Sequence, residues 1–418
     1  MVVRRPWLAA LLALLLGVLM SGGAAAKTRL FIGLPGGSGI HNPEMVERFI
    51  AANPDLDVEV LSVAWGDFFE KLPAMLATGT APDVWYGEAG RALGWRHEGV
   101  TADLTRYVER DLDLSDYFFL HAAVDPRTGE WTGIPSDFQV TALFYNTAHL
   151  PSRGIPYPDE SWTTDDLVDA AQKLTIAGAD CPVQYGFNLQ PTYITAGWML
   201  WIRLLGGEIL SPDRTESRMN LPATIDALDF MRSLIFEKQV TPAPGGCGGY
   251  NMANGTISME FHIYSRNVSL AAAGFDAYDV ALIPKSPAGK RFTTAVPNVW
   301  VINNASSPEA QEAAWRWIKY QIGEEAQLIR MASGSGVLVN RNVGPSFLAT
   351  PGPPAHREVF LESYAFADTL EENAVWGEYR GAIVDSLNPL WRGEISAQEA
   401  ALNAHQRVAA ILAEVYKQ

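Results

Sequence analysis

Two cysteines in 418 residues are too few for a disulfide framework, and the seven histidines show none of the short His/Cys spacings of a metal site. Basic residues are also scarce. Lys and Arg number 31 against 47 Asp and Glu, and a formal charge of −16 gives no electrostatic reason to bind nucleic acid or anionic lipid. Beyond residue 20 no apolar stretch is long enough for a transmembrane helix. There is no internal repeat and no low-complexity linker, so separate beads on a string are excluded. No nucleophile elbow and no Ser/His/Asp order is present, which removes the common hydrolase signatures. The glycine-rich stretch "GLPGGSGIH" (residues 33–41) lacks a Lys-Ser/Thr after its last glycine. It also lacks a glycine three residues beyond Gly39, so neither a P-loop nor the dinucleotide fingerprint is met.

The one long apolar run lies at the start. Arg4 and Arg5 precede Leu8–Met20, and "SGGAAAK" supplies an A-x-A site at Ala24–Ala26. This reads as a signal peptide, residues 1–26, cleaved before Lys27, with a retained anchor as the rival. No cysteine follows the run, so a lipid-modified N-terminus is not expected. The expected location is the periplasm. There Cys181 and Cys247 form one disulfide, two buried thiols being the alternative. About 390 residues remain after cleavage, more than one core supports, so two domains are expected.

What is abundant is tryptophan: 13 residues, with charged residues at only 19%. Large aromatics usually build cores. Several here sit beside polar residues in loop-like contexts, where flat faces can stack on a ligand. The first half alternates strand and helix. A short strand at Arg29–Gly33 precedes a helix at Pro43–Ala52, with Asn42 as N-cap and Pro43 at the first helical position. "DLDVEVLSVAW" alternates as a strand does, "DFFEKLPAMLATG" is helical to Gly79, and "APDVWYG" is a strand. That order implies a parallel sheet with helices on both faces and ligands at the strands' carboxyl ends: Gly36–Gly39, Ala64–Gly66 and Tyr86–Arg91. Further helices are read at Thr164–Leu174, Pro222–Phe236 and Ile395–Val415, and one long helix opens at Ser307-Pro308-Glu309.

Eight collinear stretches carry a resemblance. They are "ERFIAANPDLDVEV", "FFEKLPAMLATGTAPDVWY", "GIPSDFQVTALFYNTAHL", "SWTTDDLVDAAQKL", "NGTISME", "VALIPKSPAGKRF", "NVWVINNASSPEAQEAAWRWI" and "GEISAQEAALNAHQ". In this the chain resembles the family 1 extracellular solute-binding proteins of ABC importers, the group that includes maltose-binding protein. The resemblance implies an α/β periplasmic-binding-protein fold of two lobes, a hinge crossed three times and a ligand cleft between the lobes. It places one lobe at 27–138 and 300–340 and the other at 139–299 and 341–418, with crossings near Gln139, Pro297 and Arg341. It further implies a small carbohydrate ligand, an ABC permease as partner, a monomer, no cofactor and no catalysis.

A sugar needs aromatic faces for its C–H surface and polar groups for hydroxyls that are costly to leave unpaired. On the first lobe the candidates are Gly37 and Ser38 of the opening loop, Trp65, Glu88 and Arg91. At the first crossing stand Asp137 and Gln139, either facing the cleft or bonded to the crossing strands. The second lobe offers Tyr193, then Glu260, His262 and Tyr264 on a strand end where relatives often present a tryptophan that is missing here. Trp300 lies at the second crossing. Trp376, with Arg380 one turn later, falls where the family places a stacking aromatic. Alternatives are a sugar phosphate, a polyol or a polyamine in the same fold, or a glycoside hydrolase using Asp137 with Glu260.

Overall fold

The computed structural model describes residues 27–36, 41–118, 120–334 and 336–416. The signal-peptide reading of 1–26 lies outside them. Five strands come first: β1 (Thr28–Pro35), β2 (Leu56–Val63), β3 (Val84–Glu88), β4 (Ile134–Asn146) and β5 (Tyr185–Asn188). Five follow: β6 (Ile257–Ile263), β7 (Tyr278–Ala281), β8 (Thr293–Ile302), β9 (Val337–Leu338) and β10 (Ala367–Asp368). They run in the order β2-β1-β3-β8-β4-β6-β5, with β7 and β9 against β4 and β10 against β8.

Local signals set many boundaries. The Asn42 side chain accepts from the Glu44 N–H at 2.9 Å, with Pro43 opening the helix Pro43–Ala52. Thr163 closes a reciprocal capping box with Asp166 at the start of Thr164–Leu174. Ser307 caps Pro308–Ile322, and Ser396 caps the last helix, Ala397–Val415. Three readings need correction. β1 is parallel to both β2 and β3, but β8 enters antiparallel beside β3, so the sheet is mixed. The long helix opening at Pro308 is two helices: Gly323 takes an extended conformation and starts Glu324–Ser333. Trp65 also starts the helix Trp65–Ala77 rather than ending β2.

β4 and β8 are the spine. β4 pairs with β8 from Ile134 to Val140, then with β6 and β7 from Thr141 onward. β9 joins at the same level, with Asp137 opposite Leu338 and Phe138 opposite Val337. On one side β1–β3 pack with the helices Pro43–Ala52, Trp65–Ala77, Ala89–His97 and Pro308–Ile322. On the other side Leu143, Phe187, Met259 and Phe261 meet the helices Trp198–Leu204, Pro222–Phe236, Trp376–Trp391 and Ala397–Val415. The result is two α/β lobes that share the long strands. Seven of the 13 tryptophans are less than 2% exposed, so most of the aromatic excess is core rather than ligand surface. Among the described residues no helix is long and apolar enough to cross a membrane.

Cys181 and Cys247 are joined, tying a glycine-rich loop to a turn 66 residues earlier. The Tyr250 hydroxyl donates to the Pro182 carbonyl at 2.5 Å beside that link. Closing a loop of this length restricts the unfolded chain by about 4 kcal/mol in the chain-entropy account. Replacing both cysteines by alanine should therefore lower the calorimetric melting midpoint by several degrees without changing the far-ultraviolet circular dichroism.

Candidate functional site

The parallel strands β1, β2 and β3 end on one edge, and the first wall of the site forms there. Gly36 follows β1 with φ 88°, a conformation suited to glycine, and its N–H donates to the Val63 carbonyl at 2.8 Å. Gly37 and Ser38 lie outside the described residues. Trp65 is half-buried and meets Phe69 edge-on, ring centroids 5.0 Å apart, with Tyr86 at 6.1 Å. The Arg91 guanidinium lies 4.6 Å from the centre of the same Phe69 ring, and its Nε donates to Glu88 at 3.1 Å. Trp65, Glu88 and Arg91 thus form one patch around Phe69. Sequence reasoning missed Phe69 because an aromatic at an amphipathic helical position reads as core.

The second wall is built at the end of β6. His262 and the half-buried Tyr193 stand with ring centroids 5.5 Å apart. Burial, the largest influence, and the nearby Arg266 hold His262 below its ordinary pKa despite Glu260, so its imidazole is neutral near pH 7. A neutral ring offers one donor and one acceptor. Burial likewise raises Tyr193, which keeps its hydroxyl proton. The Gln190 side chain donates to the Phe261 carbonyl at 3.4 Å, fixing the Tyr193 loop to β6.

Other candidates are engaged elsewhere. Asp137 is 1% exposed: Oδ2 accepts from Tyr86 and, at 2.8 Å, from Arg330, while Oδ1 accepts from Asn298 at 2.8 Å. Its carboxylate holds the crossing strands together instead of facing a cleft. Gln139 accepts from the Ser265 N–H at 3.0 Å, linking β4 to the turn after β6. Glu260 accepts from Arg266 at 2.7 Å and Asn188 at 3.1 Å and is buried. Tyr264 is buried against Phe347 and Phe360, and Trp300 is buried among His41, Tyr86 and Trp317. Trp300 is not open to a ligand, because its ring fills core space, and Tyr264 shows only an edge to a separate hollow lined by Asn267, Met331 and Pro353. Asp137 and Glu260 are each bonded to an arginine, and neither offers the paired free carboxyls of a hydrolase. Among the described residues no group of His, Cys, Asp or Glu is placed to hold a metal.

Trp376 occupies the contact between the lobes. Its ring is 5% exposed, meets Tyr379 edge-on and lies against Gly90, where a Cβ would stand 2.8 Å from its Cγ. Arg380 is exposed, 5.8 Å from the same ring. The register brings the walls toward one place. Glu88 of β3 is opposite Asn298 of β8, Asn298 is opposite Asp137 of β4, and His262 pairs with Ala142 farther along β4. The two patches therefore approach the β4–β8 crossing from opposite sides.

Comparison with solved structures supports this architecture. A sugar-binding protein, MalE, from Xanthomonas citri superposes with a TM-score of 0.82 at 18% identity, covering 94% of this chain and 100% of that one. An ABC substrate-binding protein of Listeria monocytogenes, solved with cycloalternan, gives 0.79 at 24% identity, covering 92% and 99%. The cyclic alpha-maltosyl-1,6-maltose binding protein of Arthrobacter globiformis gives 0.78 at 20% identity, covering 93% and 100%. Among curated relatives, the sn-glycerol-3-phosphate-binding periplasmic protein of Escherichia coli K12 is 26% identical over 202 residues. That alignment takes in 46% of this chain and 43% of the relative, so this chain spans less than half the length of the curated relatives it matches. The bacterial extracellular solute-binding protein family matches residues 44–346, well over half of the sequence. This chain belongs to that family of bacterial extracellular solute-binding proteins.

Proposed function

We propose that this protein captures a carbohydrate between its lobes and delivers it to the transmembrane subunits of an ABC importer, without performing chemistry on it. The observation that carries this reading is the pair of aromatic-and-polar patches on either side of the shared strands. Trp65, Phe69, Glu88 and Arg91 form one, and Tyr193 with the neutral His262 forms the other. Flat rings suit the C–H face of a sugar, and the mixed carboxylate, guanidinium and imidazole suit its hydroxyls. Relatives solved with cycloalternan and named for cyclic alpha-maltosyl-1,6-maltose support a saccharide. The lobes would be 27–138 with 300–340 and 139–299 with 341–418, closing about crossings near Gln139, Pro297 and Arg341. The protein would work as a monomer in the periplasm after losing residues 1–26.

A thermal-shift screen tests this directly. A bound saccharide at a hundred times its Kd stabilises the fold by about 2.7 kcal/mol, so the melting midpoint should rise by several degrees. It should also change tryptophan fluorescence, since Trp65 and Trp376 border the closing space. The relative that binds sn-glycerol 3-phosphate favours a second reading, a sugar phosphate held by Arg91 and Arg380. Arg91→Ala separates the two: an anionic ligand loses most of its affinity, whereas a neutral sugar loses one hydrogen-bonding group. A screen in which only phosphorylated compounds shift the melting midpoint would overturn the neutral-sugar reading.

A further inference from the structure

Glu372 stands in the second lobe just before the helix Trp376–Trp391, and it is 2% exposed. The first lobe covers it. Its Cγ lies 2.9 Å from the point where a Cβ on Gly90 would stand, at the start of the helix Ala89–His97. The opposing lobe also brings Glu88, a charge of the same sign. Arg214, the cation that acts on it, is committed to other oxygens. Its Nη1 donates to the Glu372 backbone carbonyl at 2.8 Å and its Nη2 to Thr369 at 3.0 Å.

The neighbouring acid is treated differently. Glu371 has Arg203 at 2.8 Å and accepts from the Leu210 N–H at 2.9 Å. The other charged groups around Glu372 are Asp368 on its own segment and Asp213 on the Arg214 loop. His97, Asp125 and Arg127 face the same small hollow from the first lobe. The Tyr379 hydroxyl beneath it donates to the Glu371 carbonyl at 2.7 Å. Glu372 packs its Cγ methylene against a glycine of the opposite lobe, and its buried carboxyl, with that lobe's own acid nearby, loses water and gains repulsion as the lobes meet. Opening reverses both.

We propose that closure of the two lobes is coupled to the uptake of one solvent proton by Glu372. The coupling rests on the closure put forward above and not on which solute is carried. In the closed arrangement burial, the largest influence, together with Glu88 and Asp368 pushes the carboxyl from its ordinary 4.5 up to about 7, against the pull of Arg214 and of a hydrogen bond from its own backbone N–H. The closed form then keeps its proton at pH values where an open, hydrated Glu372 has lost it. Closure becomes more favourable as pH falls from about 7 toward 4.5, by up to about tenfold per pH unit, and is insensitive to this group outside that window.

The test needs no solute. Both native cysteines are in the disulfide, so nitroxide labels attach only to cysteines introduced at the exposed Lys71 and Lys238, one in each lobe. Interlobe distances are then measured between pH 5 and 8.5. The short-distance population should be constant above pH 7.5 and grow below pH 7. In Glu372→Gln, which carries no titrating proton, it should be independent of pH. In Glu88→Gln the rise should begin at lower pH, a response that a merely structural Glu372 would not produce. A distribution that ignores pH in the unsubstituted protein, or a titration that survives Glu372→Gln, overturns the proposal. Because no sugar is present, either result leaves the carbohydrate reading untouched.

Discussion

Gly90→Val should give a folded protein that no longer closes. Gly90 is the second residue of the helix Ala89–His97, and valine is no worse than glycine in a helix, so the first lobe keeps its stability. The side chain, however, projects into the other lobe. A Cβ there stands 2.8 Å from the Trp376 Cγ and 2.9 Å from the Glu372 Cγ, whereas carbon pairs settle at about 3.5–4.0 Å. Trp376 has no room to retreat, since its ring belongs to the buried core of the second lobe and rests on Tyr379. Whichever saccharide raises the melting midpoint of the unsubstituted protein should bind at least about 100-fold more weakly, near 2.7 kcal/mol. The melting midpoint without sugar should barely change. Calorimetry gives the affinity and small-angle scattering the compaction. Native affinity with native compaction in Gly90→Val would show that this contact does not limit closure.

The difference between Gly90 and its flanking residues shows what the sequence makes legible. Asn42-Pro43, Thr163 with Asp166, and Ser307-Pro308 announce their helices because a cap acts within three residues, and the structure uses each of them. The strand ends Ala64–Gly66 and Tyr86–Arg91 do come together, because β1, β2 and β3 are parallel and share one edge. Gly90 carries no such mark. What requires a glycine there is a tryptophan and a glutamate almost three hundred residues later, and nothing local encodes that approach.

Buried polar residues mislead for the same reason. Asp137 and Trp300 have the chemistry of a sugar site, and each is withdrawn by a partner that sequence proximity does not display. Arg330 lies 193 positions beyond Asp137, and Trp300 packs on His41, Tyr86 and Trp317. Glu260 is the milder case. Arg266 is six positions on, close enough to be noticed, but only the turn after β6 brings it back onto the carboxylate. Phe69 errs in the opposite direction: its helical spacing marks it as core, yet it is the ring that joins Trp65 to Arg91.

Asp137 is where the shared strands have most to lose. Its carboxylate and the Arg330 guanidinium are both 2% exposed at the side chain, and one oxygen also takes the Tyr86 hydroxyl while the other takes Asn298. These partners come from β3, β8 and the helix Glu324–Ser333, so a single carboxylate on β4 joins four of the segments that meet at the crossing. β9 can approach because Gly336 has no side chain: a Cβ there would stand 2.7 Å from Asp137 Oδ1. Asp137→Ala leaves a buried guanidinium without its anion, a change that costs about 3–5 kcal/mol. The melting midpoint should fall by roughly 5 °C. The loss reflects an orphaned charge more than a lost attraction, so removing the charge as well should reverse much of it. Asp137→Leu combined with Arg330→Met should regain at least half of the lost stability in denaturant unfolding, even though Tyr86 and Asn298 lose an acceptor. A double variant no more stable than Asp137→Ala would mean that the hydrogen bonds to Tyr86 and Asn298, rather than the ion pair, hold the crossing strands together.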